Sequence, residues 1–139
     1  MKSKVAQTAC LSLVCVIALL TVFFEAPANC YAFEISIDVA PNVLNMQSEG
    51  RVVTVHTDIA YGEVDAPTVS LNGVAINRWK ADNRGYFVAK FLMIDIKELD
   101  GLVIDEFNTL RLEGETRTEE AFWGEQEIEV VDNVPAGGQ

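Results

Sequence analysis

Basic residues are scarce in this chain of 139 residues, where 10 lysines and arginines stand against 21 aspartates and glutamates. The formal net charge is −11. Nucleic-acid binding depends on Lys and Arg side chains that neutralise phosphates, so this charge balance disfavours it. An anionic membrane surface is disfavoured as a partner for the same reason. The balance fits a soluble exported protein and leaves cations open as ligands.

Histidine and cysteine are also scarce. His56 is the only histidine, and the three cysteines (Cys10, Cys15 and Cys30) all fall within the first 30 residues. Zinc sites use three or four ligands dominated by these two residue types, so we expect no metal site. His56 and Asp58 could form a His–Asp pair, but a catalytic triad also needs a nucleophile and an oxyanion hole. Neither a G-x-S-x-G nor an H-E-x-x-H motif occurs, so we expect no enzyme activity and no cofactor.

The N-terminal residues have the order of a cleavable secretory signal. Lys2 and Lys4 provide a positive start, and residues 9–24 form an uncharged, mostly apolar run. That run is shorter than the roughly 20 apolar residues of a comfortable membrane span. Small residues then follow, as expected before a cleavage site. The sequence therefore predicts a signal peptide over residues 1–32 and a protein that is secreted, periplasmic or part of the cell envelope.

Two cleavage positions fit this segment. A cut after Ala28 would leave Cys30 as a lone thiol, whereas a cut after Ala32 would remove every cysteine. We favour the second, because a strand pattern begins at once with Phe33. Cleavage at either position leaves no membrane span, and the alternative is an uncleaved N-terminal anchor.

A period of two dominates residues 33–132 and predicts strands with one buried face. Asn72-Gly73 and residues 82–85 are turn signals, and residues 63–67 are expected to be a loop. One helical turn is predicted over residues 95–100, and residues 133–139 are expected to be a flexible tail. The pattern gives about seven short strands, typical of an antiparallel β-sandwich. Their predicted ranges are 34–39, 51–61, 68–71, 74–79, 86–93, 109–113 and 127–131.

Several short motifs resemble Ig-like β-sandwich modules of exported bacterial and archaeal proteins. They are residues 37–45 (IDVAPNVLN), 48–50 (SEG), 52–55 (VVTV), 69–73 (VSLNG), 88–91 (VAKF), 110–114 (LRLEG), 122–124 (FWG) and 128–130 (IEV). The resemblance implies an all-β, Ig-like fold for a non-catalytic accessory module. Such modules often have an Asp-rich calcium loop where this chain has Lys80–Gly85. Arg84 and the small number of oxygen ligands do not fit calcium, which takes 6–8 oxygens, so no calcium site is carried over.

The carboxylates leave two further alternatives open. Acidic residues are frequent between Asp100 and Glu129, and a pair roughly 5–10 Å apart over a cleft could hydrolyse glycosides. The loop over residues 100–106 could bind calcium weakly, as in a calcium-dependent adhesion module. We favour a solvated outer surface instead, because Glu127 and Glu129 occupy the outward positions of their strand.

Aromatic residues provide the candidate ligand-binding site. Trp79 and Trp123 could stack on a sugar ring or on a protein surface. Phe122 and Trp123 are neighbours on a predicted strand, so their side chains should point to opposite faces. We therefore predict ligand binding at Trp79 and Trp123, with a protein or a glycan as the partner and the oligomeric state left open.

Overall fold

The computed structural model describes residues 31–134, so residues 1–30 of the predicted signal and residues 135–139 of the predicted tail lie outside it. The described chain forms strands, one 3₁₀ turn (Tyr61–Glu63) and one α-helix, α1 (Met93–Lys97). The ten strands are β1 (Phe33–Glu34), β2 (Ile37–Ala40), β3 (Val43–Asn45), β4 (Val52–Ala60), β5 (Val64–Leu71), β6 (Val74–Ala75), β7 (Arg78–Ala81), β8 (Tyr86–Leu92), β9 (Glu106–Thr116) and β10 (Ala121–Val131).

The strands form two sheets that enclose one core. The first sheet has the order β1-β10-β9-β5-β6, with β3 also paired to β10. The second sheet has the order β2-β4-β8-β7. Strands β1 and β3 run parallel to β10, and the other pairs are antiparallel. The predicted all-β sandwich is confirmed, but about seven strands was too low a count, because several observed strands have only two or three residues.

Alternation along the long strands builds the core as predicted. In β4, Val53, Val55 and Ile59 are buried, and in β8 Phe87 and Phe91 are fully buried. Phe122, Ile128 and Val130 of β10 face them from the first sheet, in the same apolar cluster. Both sheets therefore bury one face against the other, which provides the main driving force for folding.

Two predictions between residues 63 and 79 were wrong. The expected loop over 63–67 is the first half of β5, where Val64 and Ala66 are buried and a register irregularity separates Asp65 from Ser70 in the pairing with β9. The expected strand over 74–79 is two strands, β6 in the first sheet and β7 in the second. Periodicity alone does not reveal such an irregularity or a change of sheet.

The turn at Asn72-Gly73 is confirmed. Both residues have positive φ, 47° and 84°, as a two-residue hairpin of the primed type requires. Asn72 also links neighbouring strands, since its side chain donates to the carbonyl oxygen of Thr109 and accepts from the backbone N–H of Arg111.

The connection between α1 and β9 is fixed by one buried amide. The Asn108 side chain accepts a hydrogen bond from the N–H of Val103 at 2.8 Å. It donates to the carbonyl oxygens of Val103 at 2.9 Å and Glu106 at 3.1 Å. Asn108 is 9% exposed, so these bonds satisfy a polar group that would be costly to bury alone.

The N-terminal segment contacts both sheets in turn. It pairs with β10 through β1, crosses to β4 through β2, and returns to β10 through β3. At the crossing, the N–H of Ile35 donates to the carbonyl oxygen of Trp123 at 2.8 Å. The side-chain oxygen of Gln126 accepts from the N–H of Val39 at 2.7 Å. Gly124 lies beneath this crossing, where a Cβ would come within 2.8 Å of the Ile35 carbonyl oxygen.

We predict that Gly124→Ala destabilises the protein. The added methyl group would overlap backbone that cannot move without breaking the pairing with β10, and overpacking of this kind costs about 1–3 kcal/mol. Denaturant unfolding measures the change. Gly62→Ala is the control, because nothing lies within 4 Å of its Cβ position, and it should not destabilise. Equal stability of the Gly124→Ala protein and its parent would contradict this account of the crossing.

Candidate functional site

Trp79 lies at the opening between the two sheets. It belongs to β7, the edge strand of the second sheet, and pairs in register with Ala89, a core residue. Paired residues share a face, so the Trp79 side chain is on the inner side of its sheet. The Trp79 residue is nevertheless 42% exposed, so the first sheet does not cover it fully.

Trp79 lines a groove of about 390 Å³. Its volume falls within the range of small-molecule sites. The groove combines aromatic and aliphatic walls with one carboxylate and one guanidinium, and the Tyr61 ring stacks on Phe87 at a centroid distance of 6.2 Å. The lining residues are Tyr61, Val64, Asp65, Ala66, Pro67, Trp79, Phe87 and Arg117.

Local hydrogen bonds hold the walls of this groove. The Asp82 carboxylate accepts from the N–H groups of Arg84 and Tyr86, which fixes the hairpin between β7 and β8. The bond from Tyr86, followed by the interactions with Arg84, holds the pKa of Asp82 below its usual value. The N–H of Tyr61 donates to the carbonyl oxygen of Gly85 at 2.9 Å, so one wall is attached to the hairpin.

Arg117 joins the groove from the hairpin between β9 and β10. Its N–H donates to the carbonyl oxygen of Glu63 at 2.9 Å, and its Nε lies 3.4 Å from the carbonyl oxygen of Val64. Within residues 31–134 the Arg117 guanidinium makes no hydrogen bond besides this contact with Val64. The Asp65 carboxylate and the Trp79 indole N–H make none within the same range. The groove therefore presents donors and an acceptor to a ligand.

Trp123 occupies a different surface. Phe122 is buried and Trp123 is on the outer face of the first sheet, which confirms that the two side chains point to opposite faces. The guanidinium of Arg111 lies 4.4 Å from the centre of the Trp123 ring. Arg111 also binds Glu113 at 2.6 Å and Glu125 at 2.9 Å, and these bonds raise the pKa of the guanidinium. Trp123 also lines a shallower groove of about 350 Å³.

The structure does not bring the two tryptophans together, because they belong to different sheets and to different faces. Of the residues that line the groove beside Trp79, the sequence singled out Trp79 alone. It did not identify Asp65 and Arg117 as residues of the same groove. The expected loop over 63–67 concealed the first, and Arg117 reaches the groove only through pairing between remote strands.

His56 lies on the outer face of the second sheet and is exposed. Its register partner on β2 is Asp38. Asp58 accepts the N–H of Ser36 at 2.9 Å. Within the described range, no group of three or more His, Cys, Asp and Glu side chains is placed to hold a metal ion.

Comparison with known proteins gives no relative: no protein-family model, curated protein or solved structure matches the chain. Among residues 31–134, no helix is long and apolar enough to cross a membrane.

We predict that Arg111 shields the Trp123 ring. In a Trp79→Phe background Trp123 is the only tryptophan, so its fluorescence reports on this contact alone. Replacing Arg111 with Ala should increase acrylamide quenching, because the guanidinium no longer covers one face of the ring. Arg117→Ala in the same background is the control and should leave quenching unchanged. Unchanged quenching after Arg111→Ala would contradict the stacked arrangement.

Proposed function

We propose that this protein is an exported, non-catalytic, Ig-like β-sandwich module that binds a glycan ring in the groove beside Trp79. The observation on which the proposal depends is the groove itself. It combines an exposed tryptophan with the Asp65 carboxylate, which makes no hydrogen bond to any residue in the described range 31–134, and with the guanidinium of Arg117, between the edges of two sheets.

The order of the strands supports an Ig-like assignment. Ig-like sandwiches have strands A, B, E and D in one sheet and C, F and G in the other. Reading β2, β4, β8 and β7 as A, B, E and D reproduces the order of the second sheet. Reading β5, β9 and β10 as C, F and G reproduces the first, with β6 as an added strand at its edge.

Asn108 provides a second argument for this assignment. Ig-like domains often have a Tyr near the start of strand F whose hydroxyl binds backbone a few residues upstream. Here Asn108, near the start of β9, makes equivalent bonds to Val103 and Glu106. The sequence departs from antibody domains elsewhere, since β4 and β9 contain no cysteine and β5 contains no tryptophan. Apolar side chains such as Val55 and Leu110 form the core there.

The groove chemistry favours a sugar over an apolar ligand. A pyranose ring presents C–H groups on its face, which pack on an aromatic ring, and hydroxyl groups at its edge. The Asp65 carboxylate can accept from hydroxyl groups, and the Arg117 guanidinium can donate to them. An apolar ligand would leave both charged groups desolvated without partners, which is costly.

Export is the remaining part of the proposal. The positive, apolar and small-residue order of residues 1–32 supports it. Strand β1 starts at Phe33, so a cut after Ala32 or after Ala28 would keep every described strand.

We predict that Trp79 is required for glycan binding. The purified protein would be applied to a glycan array, and the affinities of the parent and the variants for the glycans that bind would be measured by isothermal titration calorimetry. Trp79→Ala in the parent chain should weaken binding about fivefold or more, because loss of one stacked ring costs on the order of 1 kcal/mol or more. Trp123→Ala is the matched control and should bind within about twofold of the parent.

Two outcomes would contradict the proposal. Equal binding by the Trp79→Ala protein would exclude the groove as the site. Turnover of a bound glycan that is lost on His56→Ala would show that the module is catalytic.

We also predict that the exported protein begins at Phe33. The full chain would be expressed in a secreting bacterial host, and intact-mass spectrometry of the secreted product would identify its N-terminus. An N-terminus at Asn29 would show that Cys30 is retained, whereas a product that keeps residues 1–32 and stays with the membrane would identify an uncleaved anchor.

A further inference from the structure

A strip of basic side chains crosses the outer face of the second sheet. Arg78 and Lys80 on β7 pair in register with Lys90 and Val88 on β8, and along the strands these positions alternate with inward residues such as Trp79 and Ala89, although Val88 is itself fully buried. No ion pair joins the three basic groups to a carboxylate of residues 31–134, because both ion pairs found there are made by Arg111. Unpaired cations side by side are unusual in a chain of net charge −11.

The outer face of the first sheet has the opposite charge. Its two longest strands, β9 and β10, place five glutamates outward and only Arg111 as a basic residue. These glutamates are Glu113, Glu115, Glu125, Glu127 and Glu129. The basic strip of the second sheet, on a face that also carries the carboxylates of Asp38 and Asp58, is therefore complementary in charge to the glutamates of the first sheet.

Each charged surface also ends in an exposed apolar row. On the first sheet, Val43 and Phe107 flank Glu129 in register, and they are 42% and 70% exposed. On the second sheet, Val52 pairs with Leu92, and they are 37% and 38% exposed. Exposed apolar groups next to complementary charges are typical of interaction surfaces.

The rows on the two faces have matching order and spacing. From Leu92 towards the start of β8, the next outward residue is Lys90, beside Arg78, and Lys80 is in the row after that. From the Phe107 row towards the start of β10, the next outward residues are Glu127 and Glu125. Successive rows are about 6.5–7 Å apart on any strand, so the Lys90 row can lie over Glu127 and the Lys80 row over Glu125 when the rows of Phe107 and Leu92 meet.

We propose that this protein associates with a second copy of itself, the basic outer face of one copy packing on the acidic outer face of the next. The two contacting surfaces differ, so the contact is heterologous and each dimer still has one free surface of each kind. Association is therefore open-ended and depends on concentration. Repulsion between the negative net charges of two copies opposes this association only over the screening distance, about 8 Å at 0.15 M salt.

Sedimentation velocity of the purified secreted protein tests this proposal. The weight-average mass should rise at least twofold over the monomer as concentration increases at about 0.15 M salt. It should fall again at about 1 M salt, where screening acts within about 3 Å. A monomer at every concentration would overturn the proposal.

Charge reversal tests which surfaces meet. Lys80→Glu with Lys90→Glu should abolish association, and so should Glu125→Lys with Glu127→Lys. An equal mixture of the two double variants should associate again, because each reversed face then meets an opposite charge. The matched control is Glu49→Lys with Glu98→Lys, two exposed residues outside both faces, and it should still associate.

The mixing result separates this contact from other modes of self-association. Double variants that associate like the parent, or a mixture that stays monomeric although both components fold by thermal melting, would overturn the proposal. If a double variant fails to fold, Phe107→Ser decides, since this exposed side chain is outside the core. It should reduce association at least tenfold, and unchanged association would overturn the proposal.

Discussion

A side chain has no room at position 124, because the carbonyl oxygen of Ile35 lies 2.8 Å from the place where a Cβ would be. The rest of the sandwich depends on this close contact. The N-terminal segment can bond to Trp123 and to Gln126 only if it lies directly on β10, and it then continues as β2 in the other sheet. A single short segment thus joins both sheets. Residues 31–134 contain no cysteine, so without this segment only the loops and the shared core would connect the two sheets.

The sequence predicted those parts of the fold that repeat locally. Alternation identified the inward residues of β4 and β8, and the sharp turn at Asn72-Gly73 followed from residues that accept positive φ. The pairings of β1, β3 and β6 as separate strands could not be predicted, because two or three residues give no period and their partners on β10 and β5 cannot be read from local sequence. The sequence also did not show that the chain passes from the first sheet to the second between β6 and β7, because tertiary packing decides this and overrides the local pattern.

The same limit applies to the candidate site. Trp79 could be selected from the sequence as a candidate ligand contact because a tryptophan ring offers a large surface for stacking. Asp65 and Arg117 were not, because they are 52 positions apart in the numbering and meet through the pairing of β5 with β9. A groove between sheet edges is a property of topology, whereas a candidate stacking residue can be proposed from its chemistry alone.

The groove and the charged faces use different parts of the sandwich. The groove beside Trp79 opens at the edge between the sheets, while the basic strip and the glutamates of β9 and β10 lie on the two broad outer faces. Packing of one copy on another through these faces would leave every edge accessible. An assembly of such copies would then present one groove per sandwich. Single sugar sites bind weakly, and repeated sites on one assembly gain avidity without any new contact, so self-association would strengthen binding to a polymeric glycan more than to a free sugar.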